Sequence, residues 1–361
     1  MKPTPLKSFL QAHGALFEEN TGWEAAKNFS NPASEHLAVR NTVGLSDLSH
    51  YGKIFLEGAE CRSFLHGIVT NDIRNLKDGK GVYAALLSHI GRMQGDLTVF
   101  AIKGKLLIRT DPEQARRIID LLNNSIVSED VQVKDQTDGL SLIALNGPKA
   151  RLTLEKVFGA IPALSLYDML EVLFSGIQIL LTKMAYTGEE GYEIFCPVQH
   201  AKEVFMSLIS TGKDFGLRLV GSEALNSLRI EAGVPKYGID MDETIIPLEA
   251  RLENAIHYNK GCYVGQEVIA RVKRQALWRK LLVGLEVERD QPPVKGDKIF
   301  NGRKEVGWVT SGIVSPTFKK TIALGYVQRD FTAPGTELSI SIAGTPITAT
   351  IVELPFYNRA M

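Results

Sequence analysis

The stretch Lys260-Gly261-Cys262-Tyr263-Val264-Gly265-Gln266-Glu267 is the most information-dense part of the chain. Val268-Ile269-Ala270-Arg271-Val272 follows and can continue as a helix. Two glycines around one cysteine let the backbone turn tightly and bring the thiol close to a ligand. Lys260 lies two residues before the cysteine, and a helix N-terminus would begin near Gly265. Both would favour the thiolate, the reactive form. The same residues also fit an unreactive cysteine in a loop whose glycines serve the turn.

Moving outward toward the C-terminus, Arg271, Lys273, Arg274, Arg279 and Lys280 place five positive charges within ten residues, with Trp278 among them. A solvated linker or edge strand is the plain reading of such a run. Stacking on nucleic acid is another. From Leu281 onward, short β-rich runs are separated by Pro292-Pro293, Gly296, Gly302, Gly307, Gly312, Pro316, Gly325 and Pro334-Gly335. That spacing predicts a small antiparallel barrel or sandwich.

Moving outward toward the N-terminus, Ser222 to Ala232 reads as a helix with Ser222 as its cap, and His200 to Thr211 as another. Ile179 to Ala185 and Ser141 to Leu145 read as strands, and Lys149 to Phe158 as a helix. Asp111, Pro112 and Gln114 mark a helix start of capping-box type, and Ala115, Ile118, Ile119 and Leu122 fall on one face. Val82 to Thr110 reads as successive strands, broken by the turn at Lys103-Gly104-Lys105. Tyr51 to Gly58 is a strand, Ala59 to Ile68 a helix, and Leu6 to Phe17 a short amphipathic helix. The order over about residues 52–140 suggests one ferredoxin-like α+β unit. A second such unit starts at Leu140.

The composition limits the function classes. The chain has 361 residues, 44% hydrophobic and 23% charged, which is ordinary globular usage. Lys plus Arg and Asp plus Glu each total 41, so broad coating of nucleic acid is not expected. Cys61, Cys196 and Cys262 are too few and too scattered for a disulfide framework or a metal cluster. No apolar stretch is long enough to span a bilayer, and the N-terminus lacks the apolar run of a signal peptide. The expectation is a cytoplasmic protein with no membrane partner.

Lys-Gly-Cys-Tyr-x-Gly-Gln-Glu at 260–267 resembles the signature of the YgfZ family, folate-binding relatives of the glycine cleavage T-protein (aminomethyltransferase). That family includes a mitochondrial factor for maturing iron–sulfur enzymes. Further segments resemble the wider T-protein superfamily. They are His36-Leu37-Ala38-Val39-Arg40, Thr70-Asn71-Asp72, Asn146-Gly147-Pro148, Tyr186 to Ile194, Leu228 to Gly233, Gly238 to Pro247 and Thr310 to Thr317. The resemblance spans almost the whole chain. It implies an α+β three-domain cloverleaf, with two ferredoxin-like units and a C-terminal antiparallel β-barrel. The expected division is a folate-binding core of residues 1–50 plus 140–275, a ferredoxin-like domain at 51–139, and a barrel at 276–361.

The resemblance also assigns residues. Glu193 matches the glutamate that binds the pterin, and a carboxylate can accept a bidentate pair from its amino group and ring N–H. Tyr186 and Glu189 are weaker candidates. T-proteins commonly carry a folate-contacting arginine where this chain has Leu225, with Arg229 one helical turn later. Gly91 to Leu97 matches Gly-Gly-x-x-Asp-Asp-Leu, in which the first aspartate is assigned to catalysis. Gly95 occupies that place and Asp96 the next. Neighbours on a strand face opposite ways, so Asp96 is expected to bind folate without replacing the missing acid unless a bulge re-aims it. The acids at Asp240, Asp242 and Glu243 are read as structural or folate-lining, not as a metal site. The basic run at 271–280 gains a third reading, attraction of folate's glutamate tail or of an acidic partner.

Three functions follow. The leading expectation is a tetrahydrofolate-binding protein, holding the cofactor or a one-carbon derivative. It would assist assembly or repair of iron–sulfur clusters in client proteins or through assembly factors, with Cys262 and Lys260 as the reactive pair. The alternative is folate-dependent aminomethyl transfer of the T-protein type. A plain interaction module, for RNA among others, comes third.

Overall fold

The computed structural model describes residues 1–359. Three bodies of secondary structure follow the chain's own patterning. The first is a five-stranded sheet in the order Gly81–Leu87, Met93–Ile102, Lys105–Thr110, Gly52–Glu57, Gln132–Asp135. Without its edge strand Gly81–Leu87, this is the ferredoxin-like order, with helices Cys61–Ile68 and Pro112–Ser125 as the crossovers. Ile118, Ile119 and Leu122 are buried against Ile54, Leu97 and Val99, the face that the helical spacing predicts.

The helix Pro112–Ser125 starts where Asp111 and Pro112 say it should. The capping box does not form. Asp111 makes no side-chain cap bond, and it accepts from Arg109 instead at 3.1 Å. Gln114 turns inward, away from the helix end, and reaches Asp96.

The second sheet has six strands, in the order Met169–Phe174, Ile177–Met184, Gly191–Pro197, Leu140–Asn146, Val43–Asp47, Leu217–Leu219. Helices Ala150–Phe158 and Ala201–Gly212 bury Leu154, Val204, Phe205 and Leu208 in its core. Val43–Asp47 comes from the N-terminal part of the chain and lies between two strands of this unit. It pairs antiparallel with Leu140–Asn146 and parallel with Leu217–Leu219. A ferredoxin-like order is thus widened by an inserted strand.

The expected helix from Leu6 to Phe17 is shorter, at Lys7–Ala12. Gly14 adopts φ +88° just past its end and turns the chain into the strand Leu16–Asn20. That strand forms a small sheet with Trp23–Asn28 and Lys2–Pro3. The helix expected from Ser222 runs Ser222–Glu231, but Gly221 is its N-cap and the Ser222 hydroxyl binds Glu18.

The Pro/Gly-punctuated C-terminal part closes into a six-stranded barrel, as its pattern predicts. Its order is Lys280–Val287, Thr321–Gln328, Lys304–Val314, Lys298–Asn301, Glu337–Ile342, Thr345–Val352, every pairing antiparallel. Its interior is aliphatic, with Val283, Leu285, Ile299, Val309 and Ile340 at or below 1% exposure. Among the described residues, no helix is long and apolar enough to cross a membrane.

Candidate functional site

A cavity of about 400 Å³ opens where the two large sheets meet the N-terminal sheet and the helix Ser222–Glu231. Strand alternation decides what faces it. Along Met93–Ile102, Asp96 and Thr98 line the cavity, whereas Gly95 lies against Gln114 and Ile118 on the other side. The expectation that Gly95 and Asp96 face opposite ways therefore holds. The cavity-facing position is the one that keeps its carboxylate.

Register then supplies the partner of that acid. Asp96 pairs with Ala85 across the sheet, which places Tyr83 on the diagonal of the same face. The Tyr83 hydroxyl donates to Asp96 Oδ2 at 2.8 Å. Gln114 Nε2 donates to Oδ1 at 2.8 Å. Burial, reinforced by the negative charge of Asp111, pushes the Asp96 carboxyl up to about 6, against the pull of these hydrogen bonds and of Arg109. A carboxyl tuned this way can exchange protons near neutral pH.

Arg109, on Lys105–Thr110, also faces the cavity. It lies 4.4 Å from the Tyr51 ring centroid and grips Glu193 through Nη2–Oε1 at 2.8 Å and Nε–Oε2 at 3.2 Å. Glu193 is fully buried on Gly191–Pro197. Burial pushes its carboxyl up, and Arg109 opposes that push. Glu193 and Asp111 in turn hold the guanidinium firmly charged. The residue expected to receive the pterin is thus already bonded to an arginine that the sequence reading did not single out.

Tyr186 lines the cavity, and its hydroxyl accepts from Asn146 Nδ2 at 3.4 Å. Tyr83 and Tyr167 stack with centroids 6.5 Å apart. His50 lies in the same lining, and burial with nearby Lys53, Lys236 and Arg109 drives its pKa down to about 3, so it is neutral. Glu189 is buried outside the lining and accepts from Tyr357 Oη and Arg359 Nη1.

Arg229 reaches the cavity edge but is committed elsewhere. It pairs with Asp240 and donates to Ser311 Oγ at 2.9 Å and Asn226 Oδ1 at 3.0 Å. Asp240 also accepts from Thr310 Oγ1 at 2.6 Å and Ser311 Oγ at 2.7 Å. The acidic segment around Asp240 therefore ties the helix to the barrel.

Lys260 and Cys262 lie outside the cavity lining. The Lys260 ammonium donates to the carbonyls of His66, Val69 and Asn71, while its own carbonyl contacts His66 Nε2 at 3.0 Å. Burial lowers its pKa to about 8. Cys262 is exposed, whereas Cys61 and Cys196 are buried. Gly265, at φ +82°, starts the helix Gln266–Gln275 and packs on Ser88 and Gly91, where a Cβ would meet the Ser88 carbonyl at 2.7 Å.

Sequence reasoning singled out Asp96, Glu193, Tyr186 and Arg229, all now in or beside one cavity. It missed Tyr83, Arg109 and the inward role of Gln114. The alternation Arg109-x-Asp111 at a strand end was the available signal for Arg109. Tyr83 requires the pairing register.

Comparison with known proteins matches the cavity-bearing part, residues 6–260, to the model of the GCVT N-terminal domain. Residues 280–358 match the glycine cleavage T-protein C-terminal barrel domain. An aminomethyltransferase of Caldanaerobacter subterraneus subsp. tengcongensis is 33% identical, covering 99% of this chain and 96% of its own. One from Halothermothrix orenii is 34% identical, over 99% and 100%. The crystal structure of glycine cleavage system aminomethyltransferase T from Bartonella henselae superposes with a TM-score of 0.91 at 27% identity, covering 99% of each chain. With both domain models matched and relatives one third identical along the full length, the chain belongs to the glycine cleavage T-protein superfamily.

Proposed function

We propose that the protein is a folate-dependent aminomethyltransferase, moving a one-carbon unit from an aminomethyl-bearing lipoyl carrier to tetrahydrofolate. The observation that carries this reading is Asp96, a carboxyl near neutrality that faces the cavity beside Tyr83. The names of the full-length relatives support this reading better than the iron–sulfur role that the cysteine motif suggests.

The lining fits a folate. Tyr51, Tyr83, Tyr167 and Leu225 offer walls for a flat ring system. Glu193 lies outside the lining, held by Arg109, and becomes the acceptor for the pterin's amino edge when Arg109 leans toward Asp111, already 3.1 Å away. Arg251 adds positive charge to the lining and suits the glutamate tail, whereas Arg229 and Lys236, also in the lining, are already paired with Asp240 and Glu113. Tetrahydrofolate, when bound, supplies the amine nitrogens that take up the carbon. Asp96 holds or moves the proton of such an amine at Oδ2, and the tyrosine walls exclude water from it. Ammonia release from an aminomethyl-loaded carrier, dependent on tetrahydrofolate, tests the reading. Its absence at high protein concentration would remove it.

A second, YgfZ-type reading rests on the exposure of Cys262 within the 260–267 motif. It is tested by the activity of iron–sulfur enzymes in cells carrying Cys262→Ala. Undiminished activity sinks it.

A further inference from the structure

Gln114 is 1% exposed, and its amide has both ends engaged by one residue. Its Oε1 accepts from the Asp96 backbone N–H at 2.8 Å, and its Nε2 donates to Asp96 Oδ1 at 2.8 Å. The first bond fixes which way the amide points, since a backbone N–H can only donate. The second therefore always presents a donor to Oδ1. An amide nitrogen cannot accept, so a proton on the carboxyl is kept off Oδ1. It belongs on Oδ2, where the Tyr83 hydroxyl at 2.8 Å can rotate to accept as well as donate.

Gly95 completes the arrangement. A Cβ at that position would approach Gln114 Oε1 to 2.9 Å. The glycine that stands where an acid was expected is thus the space that admits the amide. The departure from the T-protein pattern is a paired feature, Gly95 with Gln114, built behind the carboxylate.

We propose that Gln114 is a positioning residue for Asp96, clamping Oδ1 so that Oδ2, on the Tyr83 side, is the oxygen that exchanges a proton with the bound amine. The proposal rests on the aminomethyltransferase reading for its substrate, but not for its geometry. The proton that leaves the amine nitrogen arrives on Oδ2, and no bond other than N–H breaks in that step.

The test follows the Asp96 carboxyl directly by carbon-13 NMR, with pH titration of the wild type, Gln114→Leu and Gly95→Ala. Loss of one hydrogen bond to the charged form raises a carboxyl pKa, so the midpoint should move up by about one unit in both variants. Gly95→Ala pushes only the buried tip of Gln114 aside, so it should fold as the wild type does and lose no more than a few degrees of melting temperature at pH 7, about what a one-unit rise in the Asp96 pKa costs, while showing the shift. In aminomethyl transfer, the acid limb of the kcat profile should move up by the same amount, with KM for tetrahydrofolate changed less than twofold. Unmoved Asp96 midpoints in both variants overturn the clamp. Moved midpoints in a protein that transfers nothing leave the clamp standing and remove the proposed reaction.

Discussion

Arg109 reaches from the five-stranded sheet to hold the buried carboxylate of Glu193, on the six-stranded sheet, through two of its nitrogens at 2.8 and 3.2 Å. This pair ties the two sheets together beside the cavity. Removing one partner leaves a charge without compensation in a buried place. Arg109→Ala is expected to cost about 3–5 kcal/mol in urea unfolding. Arg109→Met combined with Glu193→Gln should cost clearly less than the sum of the single changes. Strict additivity of the two would contradict direct coupling.

Glu193→Gln keeps the shape of the side chain but loses the charge that suits a pterin's amino edge. Tetrahydrofolate affinity, measured by calorimetry, should fall about tenfold, the worth of one charge-assisted contact. Unchanged affinity would detach Glu193 from the ligand and leave it as Arg109's anchor alone.

Asp96 predicts a pH-dependent stability difference. Its folded pKa is raised from 3.8 to about 6. A raised carboxyl contributes stability that is fully present below the unfolded pKa and lost as pH rises through the folded one. Asp96→Asn removes that loss while offering Gln114 an acceptor and Tyr83 a donor. The variant should match the wild type near pH 3.5, pull ahead between about pH 4 and 6, and hold a gain of about 3 kcal/mol at pH 7. Denaturant midpoints across that range check it. A constant difference would show that Asp96 is not perturbed.

Lys260 is a brace for the loop it sits in. Lys260→Met strips the donors from three carbonyls, those of His66, Val69 and Asn71. The expected cost is about 3 kcal/mol in chemical unfolding. The variant should retain tetrahydrofolate binding, because the ammonium does not line the cavity. Lost binding in a folded variant would give Lys260 a more direct role.

The legible parts of this chain are those written in local pattern. Asp111-Pro112 located a helix start to the residue and the Ile118–Leu122 spacing its buried face, and regular Pro and Gly breaks after Leu281 announced a barrel or sandwich, which closes as a barrel. Gln114 shows where local reading stops. Its position fits a capping box, yet a tertiary acceptor, Asp96, outcompetes the helix end. The insertion of Val43–Asp47 beside Leu140–Asn146 is beyond local pattern for a similar reason, since it pairs residues about a hundred positions apart, and only the resemblance, which joined residues 1–50 to 140–275, brought the two segments together. At the site, the resemblance found Glu193 and Tyr186, but the missing acid at Gly95 pointed away from catalysis. Only the direction in which that strand faces shows that the neighbouring Asp96 looks into the cavity. Cys262, the most eye-catching residue of the sequence, lies outside it.

The most direct measurement is single-turnover ammonia release when the protein is mixed with aminomethyl-loaded lipoyl carrier protein and tetrahydrofolate. Wild type and Asp96→Asn are to be compared at equal tetrahydrofolate occupancy. The account predicts release by the wild type, dependent on tetrahydrofolate, and a loss of at least about 100-fold in Asp96→Asn, the usual worth of a positioned acid–base group. Tetrahydrofolate bound by the wild type with no ammonia released, or equal release by both proteins, would contradict it.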